Sequence, residues 1–123
     1  MKKINMLLYA IIVIISLVSC KATQQIGGPV TAGQLTDGIY EGYFKAGPNS
    51  AEVKVTIEDQ KITNIEIMKH DCWKGKKAEP VIPQRIIEQQ STRVDAVSGA
   101  TNSSNVIMNA VQNAVEKAKK SNS

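Results

Sequence analysis

The sequence predicts an α+β domain in which a small antiparallel sheet, folded as a meander, carries two helices on one face. Three stretches with strand character follow one another between residues 39 and 69, with short turns between them. Two later stretches repeat their apolar residues with the period of a helix. Because a chain of 123 residues is close to the usual size of one domain, we expect one hydrophobic core.

The three strands are predicted from side-chain alternation and from the turns that separate them. The first is the aromatic-rich stretch from Ile39 to Phe44, which a turn at 47–50 follows. From Ala51 to Glu58 apolar and polar residues alternate, as in a strand that buries one face. After a tight connection at 59–61, a third strand is predicted to end at about Lys69. Sequential strands of this kind form an antiparallel meander.

The helices are predicted in the second half of the chain. His70 to Gly75 is expected to be a polar loop. The first helix is predicted from Glu79 to Gln90, with two prolines in its first turn, where no helical donor is lost. The last helix is predicted from about Ser103 to Lys119, because its apolar residues form a continuous stripe. Ser103 or Ser104 is expected to cap its start.

The N-terminus predicts export and a lipid anchor. Residues 1–19 have the layout of a secretory signal, a basic start followed by an uncharged apolar run. This run is shorter than the roughly 18–20 residues of a spanning helix. Cys20 closes the sequence Leu-Val-Ser-Cys, which resembles the lipobox of bacterial lipoproteins. That resemblance implies an extracytoplasmic protein whose lipidated Cys20 holds it on a membrane; the alternative is an ordinary signal peptide beside a chance cysteine.

These features divide the chain into four predicted parts. They are a signal peptide at 1–19, the lipidated cysteine with a flexible tether at 20–36, the folded domain at 37–120 and a tail at 121–123. The tether is predicted because Lys21 to Thr36 is rich in Gly, Thr and Gln and has no period. Without the signal peptide the net charge falls from +4 to +2. Since no large basic cluster remains, nucleic acid is not expected as a partner.

One segment carries residue types that point to chemistry. It contains an acidic residue, a small-residue turn and then polar side chains at the predicted start of the last helix: Asp95, Ser98, Gly99, Ala100, Thr101, Asn102 and Ser103. Backbone N–H groups and the positive end of the helix dipole meet at such a point, and both favour a phosphate. The residues alone leave open a simpler interpretation, in which the serines are caps and the rest is a polar turn.

The same segment resembles a family signature, Asp-x-x-Ser/Thr-Gly-Ala-Thr. This is the mark of the FMN-binding domain shared by a subunit of the sodium-pumping quinone reductase and its Rnf relatives. The resemblance extends from about Thr36 to Lys119, because the starts of the first and third strands and Gln89-Gln90-Ser91 also fit. It implies that a dedicated flavin transferase esterifies Thr101 to the phosphate of FMN. It also implies that Ser98, Gly99 and Ala100 form the turn at the phosphate and that Asp95 is the motif's acidic position.

The resemblance implies an electron carrier between a membrane electron donor and an acceptor outside the cytoplasm, rather than a stand-alone enzyme. Two alternatives stay open. One is a surface lipoprotein that binds FMN or another ligand noncovalently, and the other is a structural lipoprotein in which the motif only caps a helix. No spacing of metal ligands is visible, so no metal is expected.

Four kinds of side chain between residues 70 and 77 have two interpretations each. His70, the only histidine, is either a polar residue at a strand end or a hydrogen-bond partner of the flavin or its phosphate. Trp73 is either a lid over apolar surface or a ring that stacks near the flavin. Cys72 is expected to be an unpaired thiol rather than a redox group. Finally, the three lysines nearby are either a solvated basic loop or a charge that balances the phosphate: Lys74, Lys76 and Lys77.

Overall fold

The computed structural model describes residues 23–31 and 33–119, which adopt the α+β arrangement that the sequence predicts. The strands come first, a short 3₁₀ helix (Lys76–Ala78) follows, and the α-helices come last: β1 (Gly38–Ala46), β2 (Asn49–Glu58), β3 (Lys61–Asp71), α1 (Ile82–Gln89) and α2 (Thr101–Ala118). The predicted signal peptide, the lipidation site Cys20 and the predicted tail lie outside the described residues.

The sheet is the predicted antiparallel meander, in the order β1-β2-β3. Buried and non-buried residues alternate along the central strand, and this alternation is the reason that the sequence pattern predicts the strand. The inward side chains of β2 are at most 1% exposed: Ala51, Val53, Val55 and Ile57. The residues between them are not buried. One face of the sheet therefore belongs to the core and the other faces solvent.

Both helices pack on the buried face of the sheet. α2 lies against β1 and β2, and α1 lies against β3. The approach of α2 is so close at Gly42 of β1 that a Cβ at this position would overlap the carbonyl oxygen of Ala110. The stripe predicted on α2 forms the centre of the core: Val106, Ile107, Ala110, Val111, Ala114 and Val115. In the part of the chain that the structure describes, neither helix is long and apolar enough to cross a membrane.

The segment before β1 packs against the domain instead of extending away from it. We call residues 23–31 and 33–36 the strap. The strap runs along α2, and its backbone pairs at two points, between Pro29 and Ser91 and between Leu35 and Lys119. Leu35 is 1% exposed and belongs to the hydrophobic core. This finding corrects the expectation of a flexible tether up to Thr36, because the chain is already packed at residue 23.

Amide side chains hold the strap where the backbone pairing stops. Asn109 of α2 is completely buried; its Nδ2 donates to the carbonyl oxygen of Gln24 at 2.7 Å, and its Oδ1 accepts from the N–H of Ile26 at 3.0 Å. Gln60 pairs with both backbone groups of Leu35 in the same way, at 2.9 Å and 2.6 Å. Each amide thus replaces the partner strand that these backbone groups lack.

Several element boundaries differ from those that the sequence predicts. β3 continues through His70 to Asp71, so the predicted polar loop at 70–75 begins two residues later. α1 begins at Ile82 rather than Glu79, which places Pro80 before the helix instead of in its first turn. α2 begins at Thr101, two residues earlier than predicted, and no side chain caps it. The expected serine caps are therefore absent, because both serines lie inside the first turn of the helix.

Candidate functional site

A cavity of about 390 Å³ opens at the N-terminal end of α2. Three parts of the chain form its wall: the turn between β1 and β2, the loop after β3 and the start of α2. The lining residues are Pro48, Asn49, Trp73, Lys74, Gly75, Gly99, Ala100, Thr101, Asn102 and Ser103. Five of the eight predicted cofactor residues are among them, which are the consecutive residues 99–103.

The start of α2 leaves its backbone donors available to a ligand. Thr101 is exposed and is the first residue of the helix, whose N-terminus has no side-chain cap. The first N–H groups of an α-helix have no acceptor within the helix. Ser104 stabilises the turn from the buried side, since its Oγ accepts from the N–H of Val97 at 3.0 Å and donates to the carbonyl oxygen of Ala100 at 2.7 Å. Thr101 and the two residues after it line the cavity, and no side-chain hydrogen bond caps this end of the helix.

The side chain of Lys77 brings a positive charge to the turn before α2. Gly99 has a φ of +78°, in the left-handed region that glycine adopts without strain. A Cβ at this position would lie 2.6 Å from the Nζ of Lys77, so the ammonium group lies directly beside the turn. A cation next to a helix N-terminus adds to the attraction that the helix dipole exerts on a phosphate. None of the residues described as lining the cavity is acidic.

Trp73 lies at the mouth of the cavity and not over the core. Its side chain is 86% exposed. The Nζ of Lys74 lies 5.1 Å from the centroid of the indole ring, within the range of a cation–π contact. The structure therefore disfavours the interpretation of Trp73 as a lid over apolar surface, and it places an aromatic side chain at the cavity wall.

Three of the predicted cofactor residues do not line the cavity. The His70 side chain is fully buried, with its Nδ1 3.0 Å from Oε1 of Glu79, and its Nε2 has no hydrogen-bond partner among the described residues. Asp95 is exposed, and its backbone carbonyl oxygen accepts from Arg85 at 2.7 Å. Ser98 is exposed on the turn. The roles predicted for these three residues stay predictions.

Sequence reasoning does not find one wall of the cavity. Pro48 lies in the turn between β1 and β2, Asn49 begins β2, and Gly75 lies in the loop after β3. The turn itself is predicted from its Gly, Pro and Asn residues. Nothing in its composition indicates, however, that it meets a segment about 50 residues further along the chain. Its place at the cavity follows from the length of the β1–β2 hairpin and from its position against α2.

The His, Cys, Asp and Glu side chains of the described residues do not form a metal site. Within 23–31 and 33–119, no group of three or more His, Cys, Asp and Glu side chains is arranged to hold a metal ion. Cys72 is a half-buried free thiol. The donors at the cavity are backbone N–H groups, a hydroxyl and an ammonium group, and this set fits a phosphate rather than a metal.

Comparison with known proteins identifies the same region. The family model of the FMN-binding domain matches residues 47–116, which include every residue that lines the cavity. A curated relative, an NADH:acrylate oxidoreductase from Vibrio harveyi, is 32% identical over 85 residues. That alignment covers 68% of this chain but 8% of the relative, so the chain spans a small fraction of that protein's length. The match of the family model across more than half of the sequence shows that the chain belongs to the FMN-binding domain family.

Proposed function

We propose that this chain is an extracytoplasmic flavoprotein, anchored to a membrane through Cys20, which carries FMN in phosphoester linkage to Thr101 and passes electrons between redox partners. The observation that carries the proposal is the position of Thr101. It is exposed, it begins α2, and it lines the cavity within the matched domain. A hydroxyl in this position is accessible to a flavin transferase and adjoins the N–H donors that favour a phosphate.

The residues of the cavity supply binding and orientation. FMN, when bound, supplies reversible electron transfer through its isoalloxazine ring. The first-turn N–H groups of α2 and the ammonium group of Lys77 would hold the phosphate. Trp73 offers an aromatic face at the same cavity. A covalent bond to Thr101 would keep the cofactor in place outside the cytoplasm, where a released flavin is not replaced from an internal pool.

The similarity to the NADH:acrylate oxidoreductase supports a redox role for the shared domain. Because the aligned part is 8% of that enzyme, we do not carry its acrylate reduction over to this chain. We propose instead that the chain exchanges electrons with separate partners, a membrane donor and an extracytoplasmic acceptor. The described domain presents an open cavity at one end of a small fold, which suits a carrier more than a catalyst that encloses its substrate.

The test is covalent flavinylation. The chain is produced together with a flavin transferase, denatured, separated by electrophoresis and examined for flavin fluorescence in its band. We expect fluorescence in the wild-type protein and in Thr63→Ala, a matched control on the exposed face of β3, and none in Thr101→Ala. A Thr101→Ala protein that stays fluorescent after denaturation contradicts the assignment. Flavin that the wild type loses on denaturation favours noncovalent binding, and a protein that never acquires flavin favours a structural lipoprotein.

The anchor is tested separately from the flavin. We expect mass spectrometry of the mature protein to find acyl groups on Cys20, and we expect Cys20→Ser to release the exported protein from the membrane fraction. An unmodified Cys20 in a membrane-bound wild-type protein would exclude the lipid anchor.

A further inference from the structure

We propose that the cavity end of the domain docks on the headgroup layer of an anionic membrane. The surface that makes contact is the basic rim, which we define as Trp73, Lys74, Lys76 and Lys77. This inference rests on the lipid anchor of the proposed function, but it does not depend on the attachment of FMN. Two independent observations support it: the point at which the chain enters the fold, and the chemistry of the rim.

The strap enters the fold at the cavity end. The N–H of Thr23 lies 3.5 Å from Oδ1 of Asn102, which lines the cavity, and the carbonyl oxygen of Thr23 accepts from Nδ2 of Asn105 at 3.0 Å. From there the strap runs along α2 to the opposite end, where the N–H of Thr36 donates to the carbonyl oxygen of Ala118 at 2.8 Å. The residue of the strap nearest to the anchor is therefore the one beside the cavity.

The length of chain between the anchor and the strap is short. Cys20 precedes Thr23 by three residues. Because an extended chain spans at most about 3.6 Å per residue, the two Cα atoms lie within about 11 Å of each other. A tether of 16 residues would let the domain turn freely above the membrane, whereas this link holds the cavity end close to the lipid surface.

The rim has the composition of a membrane-contact surface. Trp73 is 86% exposed, and indole rings favour the boundary between headgroups and acyl chains. The three lysines of the rim are exposed. Asp71, the nearest acidic residue before them in the chain, forms an exposed ion pair with Lys69, whose Nζ lies 3.8 Å from its carboxylate. A lysine near an anionic leaflet strengthens membrane association about fivefold.

The single tryptophan provides the measurement. Trp73 is the only Trp in the sequence, so its fluorescence reports on the rim without a label. The full lipidated protein, made without flavin transferase, is inserted into vesicles of phosphatidylglycerol and phosphatidylcholine. In half of the samples the lipids are brominated near the carbonyl end of their acyl chains. We expect bromination to quench Trp73 and the membrane to shield it from iodide in the aqueous phase.

Two matched double variants distinguish the effect of the rim lysines from the effect of net charge. In Lys74→Glu/Lys76→Glu the ratio of docked to undocked domain is expected to fall at least about 25-fold, because two favourable lysine contacts are lost. Emission on brominated vesicles then recovers. Lys61→Glu/Lys117→Glu changes the net charge equally at exposed positions near the other end of the domain, and it should leave the quenching as in the wild type.

The proposal is overturned if the protein is anchored but brominated lipids do not quench Trp73 and iodide still does. The same result is expected if the rim binds an acidic protein instead, because the vesicles contain none. Equal effects of the two double variants would also overturn it. Acylated Cys20, measured by mass spectrometry on the same samples, distinguishes these outcomes from a failure of the anchor itself.

Discussion

The strap and the β-meander are both extended chain, but different interactions hold them in place. In the meander, backbone ladders join the strands, and every second side chain of β2 enters the core. In the strap, Leu35 is the one residue described as buried, and the amides of Asn105, Asn109 and Gln60 supply many of the backbone partners. Apolar burial therefore stabilises the meander, and hydrogen bonds from side chains to backbone groups fix the strap.

This difference implies that the two regions respond to different changes. Loss of apolar contact in the core should lower the stability of the whole domain, because one hydrophobic cluster joins the sheet and both helices. Loss of an amide from α2 leaves particular backbone groups of the strap unpaired. The first change should lower global stability, and the second should open a local segment.

The largest effect is expected in the meander. Ile57 of β2 is fully buried, so Ile57→Ala should lower the free energy of unfolding by about 2–5 kcal/mol through lost apolar contact and a residual cavity. Chemical denaturation monitored by circular dichroism measures this change. The exposed Ile39 of β1 is the matched control, and Ile39→Ala should cost much less. Equal losses at the two positions would contradict the assignment of the core face.

A smaller and more local effect is expected in the strap. Asn109→Ala removes both hydrogen bonds to Gln24 and Ile26, which should cost about 1–3 kcal/mol. Amide hydrogen exchange should become faster in residues 23–31 while the sheet keeps its protection. Asn113→Ala is the control on the same helix, because Asn113 donates to the carbonyl oxygen of Tyr43 in β1 instead of contacting the strap. Unchanged exchange in the strap of Asn109→Ala would show that other contacts hold it.

The smallest effect is expected at the far end of the strap, where Lys119 pairs with Leu35 through its backbone. The side chain of Lys119 hydrogen-bonds Glu116 at 2.8 Å, and this bond lowers the pKa of the Glu116 carboxyl. The resulting stabilisation is present above the carboxyl's ordinary pKa and is lost as pH falls through the lowered value. Because Glu116 is exposed, this contribution is small.

Replacement of the Lys119 side chain separates its charge from its backbone pairing. Lys119→Met should raise the pKa of Glu116 towards its ordinary value without opening the strap. NMR titration of the side-chain carboxyl carbon measures the pKa, and Lys117→Met, also exposed in the last turn of α2, serves as the control. A pKa of Glu116 that does not move in Lys119→Met would exclude the side-chain hydrogen bond as its cause.

The fold is predictable from the sequence where burial follows a period. The alternation from Ala51 to Ile57 and the stripe from Val106 to Val115 predict β2 and α2, because one face of each is buried. The predictions fail where local composition and tertiary contact conflict. His70 has the chemistry of a loop residue, yet its pairing opposite Ala51 keeps it in β3. The strap is rich in residues typical of linkers, and it is ordered by amides that lie far away in the sequence.

The candidate site likewise has one part that the sequence predicts and another part that depends on tertiary contacts. The motif predicts Thr101 at a helix start, and the structure places it there on the cavity wall. The motif does not indicate that Lys77 lies beside Gly99 or that Trp73 and the β1–β2 turn complete the wall. These neighbours come from separate elements, so no spacing along the chain records their proximity.

The sequence by itself determined the α+β class, the meander and the two helices. It could do so because periodic burial and helix-terminal chemistry are local properties that consecutive residues encode. The tertiary structure alone decided that residues 23–31 and 33–36 form a strap and that the strap enters beside the cavity. It also decided which lysine lies next to the turn before α2, where a phosphate is favoured. Those outcomes depend on contacts between residues up to 85 positions apart, whose hydrogen bonds and charges act only after folding has brought them together.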